Sequence, residues 1–515
     1  MSQDPPPKNG KPTKIYVEHA DSSELDMVNN PENYILRKNV VFRHDSAFMY
    51  CQLAYLNNVN NSLEAFDSVR IEQGDTLSMF GDYLNYDANL SLAKMRDNVR
   101  MENMQGEDNY VTLYTDSFNY NRIENLAYFF DGGMLIDSLN ELTSVYGQYS
   151  PDTKMALFKE KVRLVNPQFV LTSDTLEYDT NTRIAVFSGP SMIESDSGLI
   201  YSNRGRYNTL TGESEFYDRS LVISKDKTQN ITADTLHYEK EVGYIEAFGN
   251  MVLNDTVKKM ILMGNYGYYN EITGYAFACD SAQMIDFSQK DSLFIHADTL
   301  KIERVEEERE VKAYYGVRFY RIDVQGICDS LQFNTIDSLI RMYKTPVIWN
   351  TDYQITGDTI KILFNDSTIE KMDVLNNAFA IEKSDSTYYN QMKGRNMFSF
   401  FNAGELYKIK VEGNAESIYY PLDEGGAFAG CNKTEICSFI EIDVVDKKPE
   451  RLLFYPEPKG KLVPIPDLTP ENKFLKNFVD YDYLRPKSRE EIFSKVEIKT
   501  EDIQAPRRVR TPRKK

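Results

Sequence analysis

Ala233-Asp234-Thr235-Leu236-His237-Tyr238, a polar break, and then Tyr244-Ile245-Glu246-Ala247-Phe248-Gly249-Asn250-Met251-Val252-Leu253: this stretch decides the fold, because the chain keeps repeating it. The second half returns as Asn39-Val40-Val41-Phe42, Ser68-Val69-Arg70-Ile71, Asn98-Val99-Arg100-Met101, Lys161-Val162-Arg163-Leu164, Ser220-Leu221-Val222-Ile223 and Gly316-Val317-Arg318-Phe319. The first half returns as Asp116-Ser117-Phe118-Asn119-Tyr120, Asp174-Thr175-Leu176-Glu177-Tyr178, Asp298-Thr299-Leu300-Lys301-Ile302, Asp329-Ser330-Leu331-Gln332-Phe333 and Asp358-Thr359-Ile360-Lys361-Ile362. Neighbouring copies lie about 30 residues apart, the period of a stacked repeat.

Within each half the apolar residues fall at i and i+2, so Leu236 and Tyr238 share one strand face while Thr235 and His237 share the other. Polar clusters such as Asp179-Thr180-Asn181-Thr182 separate the halves and supply turn-forming residues. The pattern predicts a run of short antiparallel strands with one wet and one dry face. Composition agrees: 35 Tyr and 28 Phe favour pleated sheet. Helix is expected only at the ends of the chain, for instance around 470–479 and 488–493. A chain of 515 residues would ordinarily divide into several compact domains, but a repeat grows in one dimension by burying each unit on its neighbours.

The expected organisation is a proline-rich disordered leader (1–14), β repeats (15–420), a C-terminal cap punctuated by proline (421–484) and a polar, basic tail (485–515). Six of the last nine residues are basic, yet the whole chain carries a formal charge of -19. An acidic body argues against nucleic-acid binding, where phosphate contact dominates affinity. No stretch is apolar enough to span a membrane as a helix, and mean hydropathy is -0.50.

Catalytic patterns are missing. The four histidines, His19, His44, His237 and His296, have no neighbouring acid or cysteine at catalytic or metal-binding spacing. The recurring Asp could bind calcium, but it lacks the glycine grammar of such loops, and Asp-Thr or Asp-Ser ahead of a strand reads as turn chemistry. A carboxylate pair repeated in every unit marks architecture rather than a glycosidase site. The reading is therefore of a non-enzyme with neither metal nor cofactor. Cys431 and Cys437 could close a small disulfide loop in the cap, whereas Cys51, Cys279 and Cys328 are isolated and expected to be buried thiols.

The phrase of Ala233–Tyr238 followed by Tyr244–Leu253 resembles the OstA/LptA repeat, in which an A-D-x-x-x-Y strand precedes a G-N-V-x-hydrophobe strand. The resemblance runs over about 15–420. It implies an elongated, all-β, antiparallel jelly-roll or solenoid-like stack of repeats of about 30 residues, a small cap closing its C-terminal end. It also implies a periplasmic or outer-membrane-associated protein that transports or bridges lipopolysaccharide to the outer membrane, holding lipid A acyl chains between two sheets. Partners would be other lipopolysaccharide-transport components, joined end to end by β-strand pairing. The first residues show no signal peptide, so the expectation is a signal already removed or a start codon placed too late. The candidate lipid groove is the inward stripe Leu176, Tyr178, Leu236, Tyr238, Met251, Leu253, Leu300, Ile302, Val317, Phe319, Leu331, Phe333, Ile360 and Ile362. The competing expectation is a structural β-repeat surface scaffold or adhesin whose core is fully packed.

Overall fold

The computed structural model describes residues 13–28, 30–106, 110–305, 308–334, 336–365, 368–385, 387–423, 425–446 and 448–496. Most of the expected leader, residues 1–12, and most of the basic tail, residues 497–515, lie outside them. Strands hold 69% of the described residues and helix 3%, so the fold is all-β. It divides into two compact units, 1–242 and 243–515.

In the first unit the second half of the repeated phrase is one long strand bent in its middle. Asp97 and Asn98 sit at φ 63° and 51° inside the strand Leu92–Met104. Asp67 and Ser68, Glu160 and Lys161, and Asp218 and Arg219 form equivalent pairs in their own strands. Two successive left-handed residues insert an extra residue into the ladder: Leu53 pairs with Phe66, but Tyr50 pairs with Arg70. Such a bulge bends a strand without ending it. The expected small-residue step is therefore a corner rather than a boundary between short strands.

The corner folds the sheet onto itself as two facing layers. On the bent strand Ser62–Gln73 the inward residues are Leu63 and Ala65 on one side of the corner, and Val69 and Ile71 on the other. On its unbent neighbour Leu77–Asp87 they are Leu77 and Met79, then Leu84 and Tyr86, with a change of parity at the crossing. Burying each Leu, Val, Ile or Met among them stabilises the fold by about 1.5–3 kcal/mol. Close approach at the corner requires small residues: a Cβ on Gly205 would lie 2.6 Å from the Phe187 ring. Midway along the unit the layers separate into short strands, Leu126–Phe129 and Tyr146–Tyr149 in one, Gly133–Ile136 and Glu141–Ser144 in the other. Both pairs rejoin on the long strand Met155–Asn166.

The recurring Asp lies at this corner, which corrects the turn reading. Asp116 accepts the backbone amide of Asn98 at 3.1 Å, and Asp82 accepts from the Asn98 side chain at 2.6 Å. In the second unit Asp358 accepts from Asn377, and Lys344 donates to Asp329 at 2.9 Å. These carboxylates stitch the left-handed pairs to the strands beside them.

The second unit repeats the bend at Asp280 and Ser281, Tyr315 and Gly316, and Asn376 and Asn377. Strands continue into the region expected as a cap, as Cys431–Ile436, Phe439–Val445, Lys448–Tyr455 and Lys459–Val463. Beyond them the chain turns back as an extended strap over the outer face of one layer. Gln391 accepts the Leu475 amide at 2.8 Å, Gln354 accepts the Tyr481 amide at 2.8 Å, and Arg318 donates to the Leu484 carbonyl at 2.8 Å. Leu475 packs with Phe379, Ile381 and Ile418, and Leu484 packs with Val347 and Trp349. The stretch that follows 485, expected to open a polar tail, is bound as far as Phe493: Arg485 donates to Gln325, Ile492 is fully buried and Phe493 packs on His296 at 4.7 Å. Helix at this end is limited to short turns such as Pro470–Lys473 and Glu491–Phe493.

Cys431 and Cys437 are both buried free thiols, contrary to the expected disulfide. The strand Cys431–Ile436 lies between them. Extended chain of that length separates their Cα atoms by about 20 Å, well beyond the roughly 7 Å a disulfide can span. Their thiols donate instead to backbone carbonyls, Cys431 to Asn472 and Cys437 to Phe439.

Candidate functional site

Each repeat contributes residues to the inward stripe of its unit. In the first unit Leu176, Tyr178, Leu236 and Tyr238 all face inward and are buried. In the second unit so are Met251, Leu253, Leu300, Ile302, Val317, Phe319, Leu331, Ile360 and Ile362, none more than 8% exposed. Phe333 occupies an inward slot opposite Val311 and is half-buried. His237 projects from the opposite face, 3.8 Å from Glu215. The stripe is thus closed over itself within each unit, lined by Leu, Ile, Val, Met and aromatic rings.

The two layers meet twice, at the corners and at the hairpin tips. Tip contacts in the first unit are polar and centre on inward tyrosines, two of which, Tyr178 and Tyr238, end copies of the repeated phrase. Tyr86 lies 2.6 Å from His44 Nδ1 and accepts from Arg122 at 2.8 Å. Tyr149 accepts from Asn103 at 2.7 Å and from Gln105 at 2.8 Å. Tyr178 donates to Asp137 at 2.5 Å and accepts from Asn140 at 2.7 Å. Tyr238 donates to Ser197 at 3.3 Å. No strand pairing joins these tyrosines to those partners: Tyr86 stands between the strands of Leu63 and Ala93, whereas the His44 strand pairs with Ala47–Asn57.

Charge reinforces the tips. Arg183, at the end of one layer, forms an ion pair with the fully buried carboxylate of Asp137 at the end of the other. In the second unit Arg309 reaches Asp286 at 3.5 Å in the same manner. Burial, and next the negative Asp137, push the Tyr178 hydroxyl up from its ordinary value. Burial raises Tyr86 too. His44 is held below its ordinary value by burial and then by the neighbouring Arg122 cation. At neutral pH these shifts keep Tyr178, Tyr86 and His44 uncharged, as hydrogen-bonding pieces of the tips.

Sequence reasoning placed Tyr178 and Tyr238 inward but missed Tyr86, Tyr149, Asp137, Asn140, Asn103, Gln105, Arg122 and Arg183. The signal of the last six was available only as polar residues in turns, which any turn displays. On the outer face, Arg70 stacks on Tyr50 at 4.3 Å and Arg100 on Phe80 at 4.6 Å, each Arg also beside a Glu. Among the described residues no cluster of three metal-ligating side chains forms.

Residues 12–174 match the family model described as OstA-like protein. Among solved structures, LptH of Pseudomonas aeruginosa, described as the LptA-homologous periplasmic component of the conserved lipopolysaccharide transport device, is similar at 15% identity and a TM-score of 0.16. That match covers 29% of this chain and 93% of LptH. No curated protein matches the chain.

Proposed function

We propose, from the OstA-like character of residues 12–174 as premise, that this protein is a non-enzymatic lipopolysaccharide carrier or bridge of the periplasm. Lipid A acyl chains would lie between the two layers while the sugars stay in water. The observation that carries the reading is the inward stripe within each unit, apolar in repeat after repeat. Each methylene moved from water into such an interior gains roughly 0.8 kcal/mol, so a few acyl chains suffice for firm retention without any chemistry by the protein. Terminal strands support docking of other transport components. Tyr16–His19 and Ser22–Asp26 pair only with Asn30–His44, and Lys448–Tyr455 pairs only with Phe439–Val445, among the described residues. Unpaired edges of this kind accept a further strand.

Closure of the stripe favours a second reading, a structural scaffold with a permanently packed core. Site-specific photocrosslinking separates the two. Probes at Leu236 and Ile302 should capture lipopolysaccharide in periplasmically expressed protein, and probes at the outward Thr235 and Lys301 should not. Equal capture on both faces, or no lipid in mass spectra of the purified protein, would leave the scaffold standing.

A further inference from the structure

We infer that acyl chains enter the first unit sideways, between the hairpin tips, and that the hydroxyls of Tyr86, Tyr149, Tyr178 and Tyr238 are the latches holding this mouth shut. The inference rests on the lipid-carrier reading above and adds its route. At the corner side the bent strands carry backbone continuously from one layer to the other, so the layers cannot part there without tearing those ladders. At the tip side nothing covalent joins them; the bonds are side-chain bonds across the gap, from Tyr86 to His44, Tyr149 to Asn103, Tyr178 to Asp137 and Tyr238 to Ser197.

The latch residues suit a gate better than a plain core. Phe at these positions would fill the same space without needing a partner, yet each tyrosine sends its hydroxyl to the opposite layer. Each ring caps its inward row, with Leu84 beside Tyr86, Leu176 beside Tyr178 and Leu236 beside Tyr238. A ring that swings out therefore exposes an apolar row directly behind it. Polar latches also exchange readily for water, whereas an apolar seam would resist wetting.

The test is the rate at which fluorescently labelled rough lipopolysaccharide loads into the full chain. Tyr149→Phe with Tyr178→Phe should speed loading several-fold, and Tyr83→Phe on the outer face should leave it unchanged. A second variant keeps every tyrosine: Ser138→Cys with Arg183→Cys, whose native side chains are 3.1 Å apart, joined by a reducible bis-methanethiosulfonate. Loading should fall several-fold when linked and recover on reduction, with the single-cysteine variants as controls. Loading that neither the Phe pair nor the linker alters would place entry elsewhere and overturn the latch while leaving the carrier reading intact. If no form of the protein takes up the labelled lipid, the carrier reading itself fails.

Discussion

Asp137 and Asp234 look alike in the sequence, yet the structure gives them opposite energetic weight. The Asp137 carboxylate is fully buried and holds both Arg183 and Tyr178. Asp137→Ala should lower unfolding stability by about 3–5 kcal/mol in urea titration, since it strands a cation in the interior. Asp234 pairs with Arg219 at 3.5 Å with both side chains about half exposed, so Asp234→Ala should fall within about 1 kcal/mol of wild type. His44 gives the tips a pH dependence. Its folded value lies below the ordinary 6.5, so between the two the unfolded chain binds more protons and stability falls as pH drops below about 6.5. Arg122 and Asp45 face it with opposite signs, and Arg122 dominates. His44→Gln should flatten this acid-side loss in urea midpoints. Part will remain, because His296, also lowered by burial, contributes in the same direction.

Among elements the strap from 465 to 493 most changes what its unit requires. In the first unit the outer face of the corresponding layer carries Arg70 and Arg100, which water solvates. In the second unit that face carries Val347, Trp349, Phe379 and Ile381, which the strap covers with Leu475 and Leu484. Leu484→Ala should destabilise the second unit by about 2–5 kcal/mol. Hydrogen exchange should then quicken in Val347–Asn350 and Tyr353–Thr356 but not in the strands of residues 1–242. Unchanged exchange in those two strands would mean that the strap lies on the sheet without supporting it. Sequence reading took 485 as the start of a polar tail because Arg485, Lys487, Arg489 and Glu490 dominate the composition there. Only the seat beneath Ile492 and Phe493 shows that the stretch is bound.

Across the whole molecule, local alternation was the readable part. Leu236 beside Tyr238, and Met251 beside Leu253, fixed strands, their inward faces and the repeat, because side-chain direction in a strand depends on nothing further away than two residues. The same sequence printed the corner as Asn-Val or Gly-Asn, where a turn, a bulge and a strand end look identical: left-handed pairs such as Asp97 and Asn98 are compatible with all three. Whether such a pair stops a strand or bends it depends on the neighbours that continue the ladder past it. The disulfide expected at Cys431 and Cys437 failed for a related reason, since nearness in sequence becomes separation in space once a strand runs between them. The repeated phrase by itself therefore determined an all-β chain with one dry face. Only the tertiary structure decided that this face closes on itself, with tyrosine hydroxyls and Asp137 meeting across the tips, because those partners lie tens of residues apart and come together only when the sheet folds at its corners.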